Sequence, residues 1–164
     1  MLKLVAHYSS KSHNSTKMKT KTLSKIILGS SILGVLNGGY LTYLFIKLTY
    51  FTGAGASFCD FNNRFTCSNV VTSKYAQLFG LPVCTYAVVV YLIMVLLAIR
   101  TMKTKNPKNS FYAISVLAGM GMMMNVIYTY NEYAFLSAVC TLCLGCLVLI
   151  TVNLAASIKG YSKS

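Results

Sequence analysis

Pro82-Val83-Cys84-Thr85-Tyr86-Ala87-Val88-Val89-Val90-Tyr91-Leu92-Ile93-Met94-Val95-Leu96-Leu97-Ala98-Ile99-Arg100 ends a window that carries no charge between Lys74 and Arg100. About 20 apolar residues, rising roughly 1.5 Å each, cross the roughly 30 Å hydrocarbon core of a bilayer. Working outward, three more charge-free windows run from Lys25 to Lys47, from Lys108 to Glu132 and from Glu132 to Lys159, so that all four windows are 21 to 26 residues long. The pattern predicts transmembrane helices near 26–47, 83–99, 111–130 and 137–158. The expected fold is an all-α integral membrane bundle of four helices, with an external loop and half-helix between the first two. The organisation that follows is a basic, disordered leader over 1–24, a membrane domain over 25–159 and a short tail over 160–164.

Composition agrees with a chain dissolved in lipid. Mean hydropathy is +0.61 and charged residues make up 10%, against about 25% in ordinary soluble domains. The acids number two, Asp60 and Glu132, beside 15 basic residues. Twelve of the basic residues precede the first span, lie between the second and third, or follow the fourth; Lys47, Arg64 and Lys74 are the others. The positive-inside bias then places both termini in the cytoplasm and the 48–82 and 131–139 loops, with both acids, outside. The +13 charge is on this reading a topology signal rather than a nucleic-acid footprint. The first apolar run is about 21 residues, longer than the roughly 7–15 of a signal peptide, so it is read as a retained span despite the small residues at 53–57. Met18-Lys-Thr-Lys-Thr offers a second translation start.

The outer loop contains Cys59 and Cys67, separated by a polar insert including Asp60, Asn62, Asn63 and Arg64. Such an insert turns back easily, and an oxidising exterior permits a loop-closing disulfide. After it, Ser68 or Asn69 is expected to cap a short helix with Val70, Val71, Tyr75, Leu78 and Phe79 on one face. Gly80 is expected to end that helix before Pro82 opens the second span. Alone, this loop reads as a structural brace.

Cys140-Thr141-Leu142-Cys143 changes that reading. Residues i and i+3 of a helix share a face, and the outer start of the fourth span offers free N–H groups that favour a thiolate. The thiolate is the attacking species in disulfide exchange, so the motif suits redox chemistry. The competing readings are a zinc site made from the two cysteine pairs and plain helix packing. The histidines, His7 and His13, lie far off in the leader, which weighs against the metal. Cys84 and Cys146 are read as small packed hydrophobes.

Cys59-x7-Cys67-Ser68, then Thr72-Ser73-Lys74-Tyr75 and Leu78-Phe79-Gly80-Leu81-Pro82-Val83, resemble the loop and second-helix start of the vitamin K epoxide reductase family. The stretch Tyr128-Thr129-Tyr130-Asn131-Glu132 ahead of Cys140-x-x-Cys143 is similar to that family's as well. The resemblance spans about Lys25 to Lys159 and implies a four-helix bundle holding a quinone near the outer surface of, in this bacterial-type form, an inner membrane. It implies that Cys140 and Cys143 are the active pair, Cys143 nearer the quinone. Cys59 and Cys67 would be the shuttle pair, with Ser73 beside the active site. It also implies a thioredoxin-like thiol oxidase as a separate external partner, because the chain stops at Ser164 where many relatives continue into such a domain.

The expected activity is therefore quinone-dependent thiol-disulfide oxidoreduction. Electrons pass from the partner through Cys59 and Cys67, with Cys67 attacking Cys140, and then from Cys143 to a ubiquinone- or menaquinone-type acceptor, with no metal. The expected acceptor site comprises Val70, Ser73, Phe79, Asn125 and Tyr128, a mostly apolar surface with a few polar contacts; Asn125 also suits helix packing. Glu132 and Tyr128 are candidates for proton supply. Epoxide reduction is the second reading, weakened because Leu147 stands where the family's vertebrate enzymes carry a tyrosine. A non-catalytic metal-binding membrane protein is the third.

Overall fold

The computed structural model describes residues 2–50, 60, 67–104, 106–137 and 140–163. Four long helices dominate: α1 (Leu2–Tyr50), α3 (Val83–Lys103), α4 (Lys108–Asn131) and α5 (Thr141–Lys163), with the short α2 (Cys67–Thr72) between α1 and α3. All four long helices contain stretches long and apolar enough to cross a membrane. Helix α1 packs on α3 and α5, and α4 closes the ring against α5 and α3.

The bundle is apolar outward and partly polar inward, as expected where lipid is the solvent. Leu33, Leu36, Leu96, Met120, Met123 and Val148 are each more than half exposed on the outside. Inside, buried Asn153 of α5 donates to Ser31 Oγ at 3.2 Å and pairs with Ser30, both on α1. Thr101 of α3 donates to Ser24 of α1 at 2.9 Å. These bonds tie the helices without help from a hydrophobic effect, which lipid supplies only weakly.

Small residues let α1 approach α3. A Cβ placed on Gly34 would lie 2.5 Å from the Tyr91 ring, and one on Gly38 would lie 2.9 Å from Val88. Tyr91, 1% exposed, sends its hydroxyl across the bundle to the carbonyl of Cys146 at 2.9 Å. Proline opens two helices: Pro82 caps α3 and Pro107 caps α4. Its fixed φ and missing N–H suit a helix start.

Four features add to or change the expectations. The first is that the backbone of α1 is helical from Leu2, ahead of the apolar stretch that begins at Thr20. Extending an existing helix costs far less than nucleating one. Second, α2 ends at Thr72 rather than near Gly80. Ser73 is extended, a 3₁₀ turn covers Lys74–Ala76, and strands β1 (Gln77–Leu78) and β2 (Leu81–Pro82) pair antiparallel, Leu78 opposite Leu81. The two-residue turn has φ of 53° at Phe79 and 82° at Gly80. Both positive values match the mirror-image turn whose twist suits a hairpin.

Third, neither Ser68 nor Asn69 provides the cap identified for α2. One Asp60 oxygen accepts from the Cys67 and Ser68 amides at 2.7 and 3.1 Å, and the other from Ser68 Oγ at 2.5 Å. A carboxylate seven residues upstream is invisible to a local capping rule. Fourth, α4 runs into a π-helical turn over Glu132–Leu136 before Ser137 turns left-handed at φ 50°. Glu132, expected in an outer loop, is therefore 3% exposed inside the bundle mouth.

Candidate active site

The site forms where α2 meets the first turn of α5. Leu41, Leu44 and Phe45 of α1, Val70 and Val71 of α2, and Ala76 pack into one buried cluster with Cys67 and Cys140. Cys67 and Cys140 are each 0% exposed. Cys67 is disulfide-bonded, whereas Cys140, Cys143, Cys84 and Cys146 are free thiols. Cys59 lies outside the described residues, as do Arg64 and the small residues at 53–57.

The Cys140 sulfur is 3.4 Å from the Cys67 sulfur. Cys140 also occupies the cap position of α5. Its Sγ accepts the backbone N–H of Cys143 at 3.3 Å, and its carbonyl accepts the amide of Leu144 at 3.1 Å. The cap therefore supports Cys140. A hydrogen bond from the Cys143 thiol holds the Cys140 thiol below the usual thiol range, against the opposing effect of burial. The donors of the first helical turn and a neighbouring thiol all favour charge on the sulfur that faces Cys67.

Cys143, one turn further, opens on a different space. A cavity of about 540 Å³, its open mouth included, is lined by Val70, Asn125, Tyr128, Glu132, Cys143 and Cys146 among others. The expected contacts thus divide. Val70, Asn125 and Tyr128 border the cavity beside Cys143. Ser73 does not; it caps the 3₁₀ turn, with its Oγ buried and without a hydrogen-bond partner among the described residues. Phe79 is 93% exposed at the hairpin tip, because its left-handed backbone turns the side chain away from the bundle. Asn125 accepts a bond from Thr129 at 3.3 Å, so it serves α4 as well as the cavity wall.

Two residues of the site went unread in the sequence. Asn37 of α1 donates to the Leu142 carbonyl at 2.8 Å and to Cys146 Sγ at 3.2 Å, pinning the start of α5. A lone amide in an apolar span was the signal, because such groups are costly in lipid unless partnered. Thr42 likewise donates to Cys84 Sγ at 3.6 Å, so Cys84 and Cys146 pack with polar support. Among the described residues, no three His, Cys, Asp or Glu side chains are grouped to hold a metal ion.

Comparison with curated proteins finds no match. The model of the vitamin K epoxide reductase family matches residues 25–158, a range that takes in all four spans and both cysteine motifs. By that match the chain belongs to the vitamin K epoxide reductase family.

Proposed function

We propose that this membrane oxidoreductase of the vitamin K epoxide reductase kind moves electrons from an external dithiol protein to a membrane quinone through two cysteine pairs. The observation that carries the reading is the 3.4 Å approach of Cys140 to disulfide-bonded Cys67, together with Cys143 opening on a largely apolar cavity. A sulfur at contact distance from a disulfide sulfur is placed for exchange, and the buried apolar cluster around both excludes competing water.

The cycle balances as follows. A reduced thioredoxin-like partner gives two electrons to the Cys59–Cys67 disulfide and leaves as its own disulfide. The freed Cys67 thiolate attacks Cys140 of an oxidised active pair, expelling Cys143 as thiolate. Cys59 then attacks Cys67, restoring the shuttle disulfide and releasing Cys140. Disulfide-bonded Cys67 beside free Cys140 and Cys143 corresponds to this loaded stage. Closing the Cys140–Cys143 disulfide delivers two electrons to a quinone in the cavity, and two protons complete the quinol. On the charge bias of the loops, this end of the bundle faces the exterior.

Quinone rather than epoxide is the favoured acceptor. Leu147 packs with Tyr91, Cys146 and Ile150 and presents no hydroxyl. The test is reduction of a short-chain quinone by the detergent-solubilised protein with dithiothreitol as donor. Cys143→Ala should abolish turnover, while Cys59→Ala should retain part of it with this small dithiol. An intact protein that reduced no quinone would sink the assignment.

A further inference from the structure

Glu132 is the one acid in the chain that the fold does not spend on capping; the other, Asp60, serves α2. It is 3% exposed. One side of its carboxyl takes a hydrogen bond from the backbone N–H of Cys140. The other oxygen, Oε2, is buried and has no hydrogen-bond partner among the described residues. The same side chain lines the cavity with Cys143, Tyr128 and Asn125. It stands where α4 gives way to the π-helical turn, a local irregularity frequent at functional sites. An ionisable group at membrane depth is expensive, and evolution retains one there mainly for function. An oxygen left unpaired in an apolar cavity beside a redox thiol is open to a ligand.

We propose that Glu132 is the proton-transfer group of the acceptor site. The inference rests on the quinone-reducing reading above. As the Cys140–Cys143 bond forms, two thiol protons and two electrons leave the pair, and the quinone gains the same number to become a quinol. The Glu132 carboxylic acid gives one proton through Oε2 to a quinone oxygen as the electron pair arrives. It recovers one from the thiol pair, to which the Cys140 backbone holds it adjacent, and so ends the turnover as it began. The second proton follows from the remaining thiol.

The test uses the full chain in detergent, a short-chain benzoquinone and dithiothreitol. Two readouts are taken: kcat and KM for the quinone, and the rate of internal thiol-disulfide exchange without quinone, followed by alkylation. Glu132→Gln preserves shape and hydrogen bonding but has no transferable proton. It should lower kcat about 100-fold, the usual scale of general acid catalysis, while KM and internal exchange hold. Glu132→Asp should recover part of the loss. A Glu132→Gln protein with wild-type kcat overturns the proposal. So does one in which exchange falls in parallel with kcat, since Glu132 would then only prop the α5 start; if Glu132→Gln does not fold, the same two rates on Glu132→Asp decide, with kcat falling alone in support. Wild-type protein that exchanges thiols yet reduces no quinone removes the underlying function itself, an outcome distinct from failure of the glutamate alone.

Discussion

Gly34→Ala tests the closeness of α1 and α3 directly. The added Cβ would lie 2.5, 2.5 and 2.6 Å from three atoms of the Tyr91 ring. That ring cannot step aside freely, for it is 1% exposed and its hydroxyl is bonded to the Cys146 carbonyl at 2.9 Å. Overpacking of this kind costs about 1–3 kcal/mol, and losing the tyrosine bond adds about 1 kcal/mol. Better helix propensity returns up to about 1 kcal/mol. The net is about 1–3 kcal/mol, or about five- to 150-fold in the folded ratio. The internal control is Gly39→Ala on the same helix, where a Cβ meets nothing within 4 Å; it should be neutral or slightly stabilising. Denaturant titration in detergent, read by tyrosine fluorescence, ranks the two. Because Cys146 lies one turn beyond Cys143, Gly34→Ala should also slow thiol exchange. If Gly34→Ala proved as stable as Gly39→Ala, the close-packing argument would be wrong.

Cys143→Ala removes the thiol that holds Cys140 below the usual thiol range, so the Cys140 reactivity profile should move to higher pH. Below the ordinary thiol range the wild type then has more thiolate than the variant, and above both values the difference vanishes. Peptide-resolved alkylation against pH measures this; an unmoved profile contradicts the hydrogen bond from the Cys143 thiol. Asp60→Asn weakens the acceptor shared by the Cys67 amide, the Ser68 amide and Ser68 Oγ. It should loosen α2 by about 1–2 kcal/mol, seen as faster hydrogen exchange at Cys67 and Ser68. Ser68→Ala, which removes only the hydroxyl bond, should do less, and equal protection in all three proteins would dismiss Asp60 as the cap.

The four spans were legible because membrane crossing depends on a local quantity, the summed transfer free energy of about 20 consecutive residues. Charges at Lys74, Arg100, Lys108 and Lys159 interrupt that sum; helices α3 and α4 bracket the expected spans, whereas α5 begins at Thr141 rather than near 137. The cysteine motifs were equally open to reading, as spacing alone proposes a loop pair and a helix-face pair. The half-helix was legible in its existence but not its length. A Gly-Leu-Pro stop was read at 80–82, whereas the chain left the helix at Thr72 and formed a hairpin, whose Phe79 backbone no propensity favours.

What tertiary structure decided was every contact that joins distant residues. Cys67 and Cys140 are 73 positions apart, and Asn37 meets Leu142 across 105. No sequence window holds either pair. The same holds for charge. Asp60 and Glu132 look alike as isolated acids in loops, yet one caps a helix and the other is buried in the cavity wall with Cys143. Their fates follow from which donors and which apolar surfaces fold around them, and desolvation is a property of that whole environment. Composition and spacing thus determined a four-span redox protein of recognisable family. Packing alone determined which sulfur receives the helix cap, which one faces the cavity and which carboxyl stands beside it.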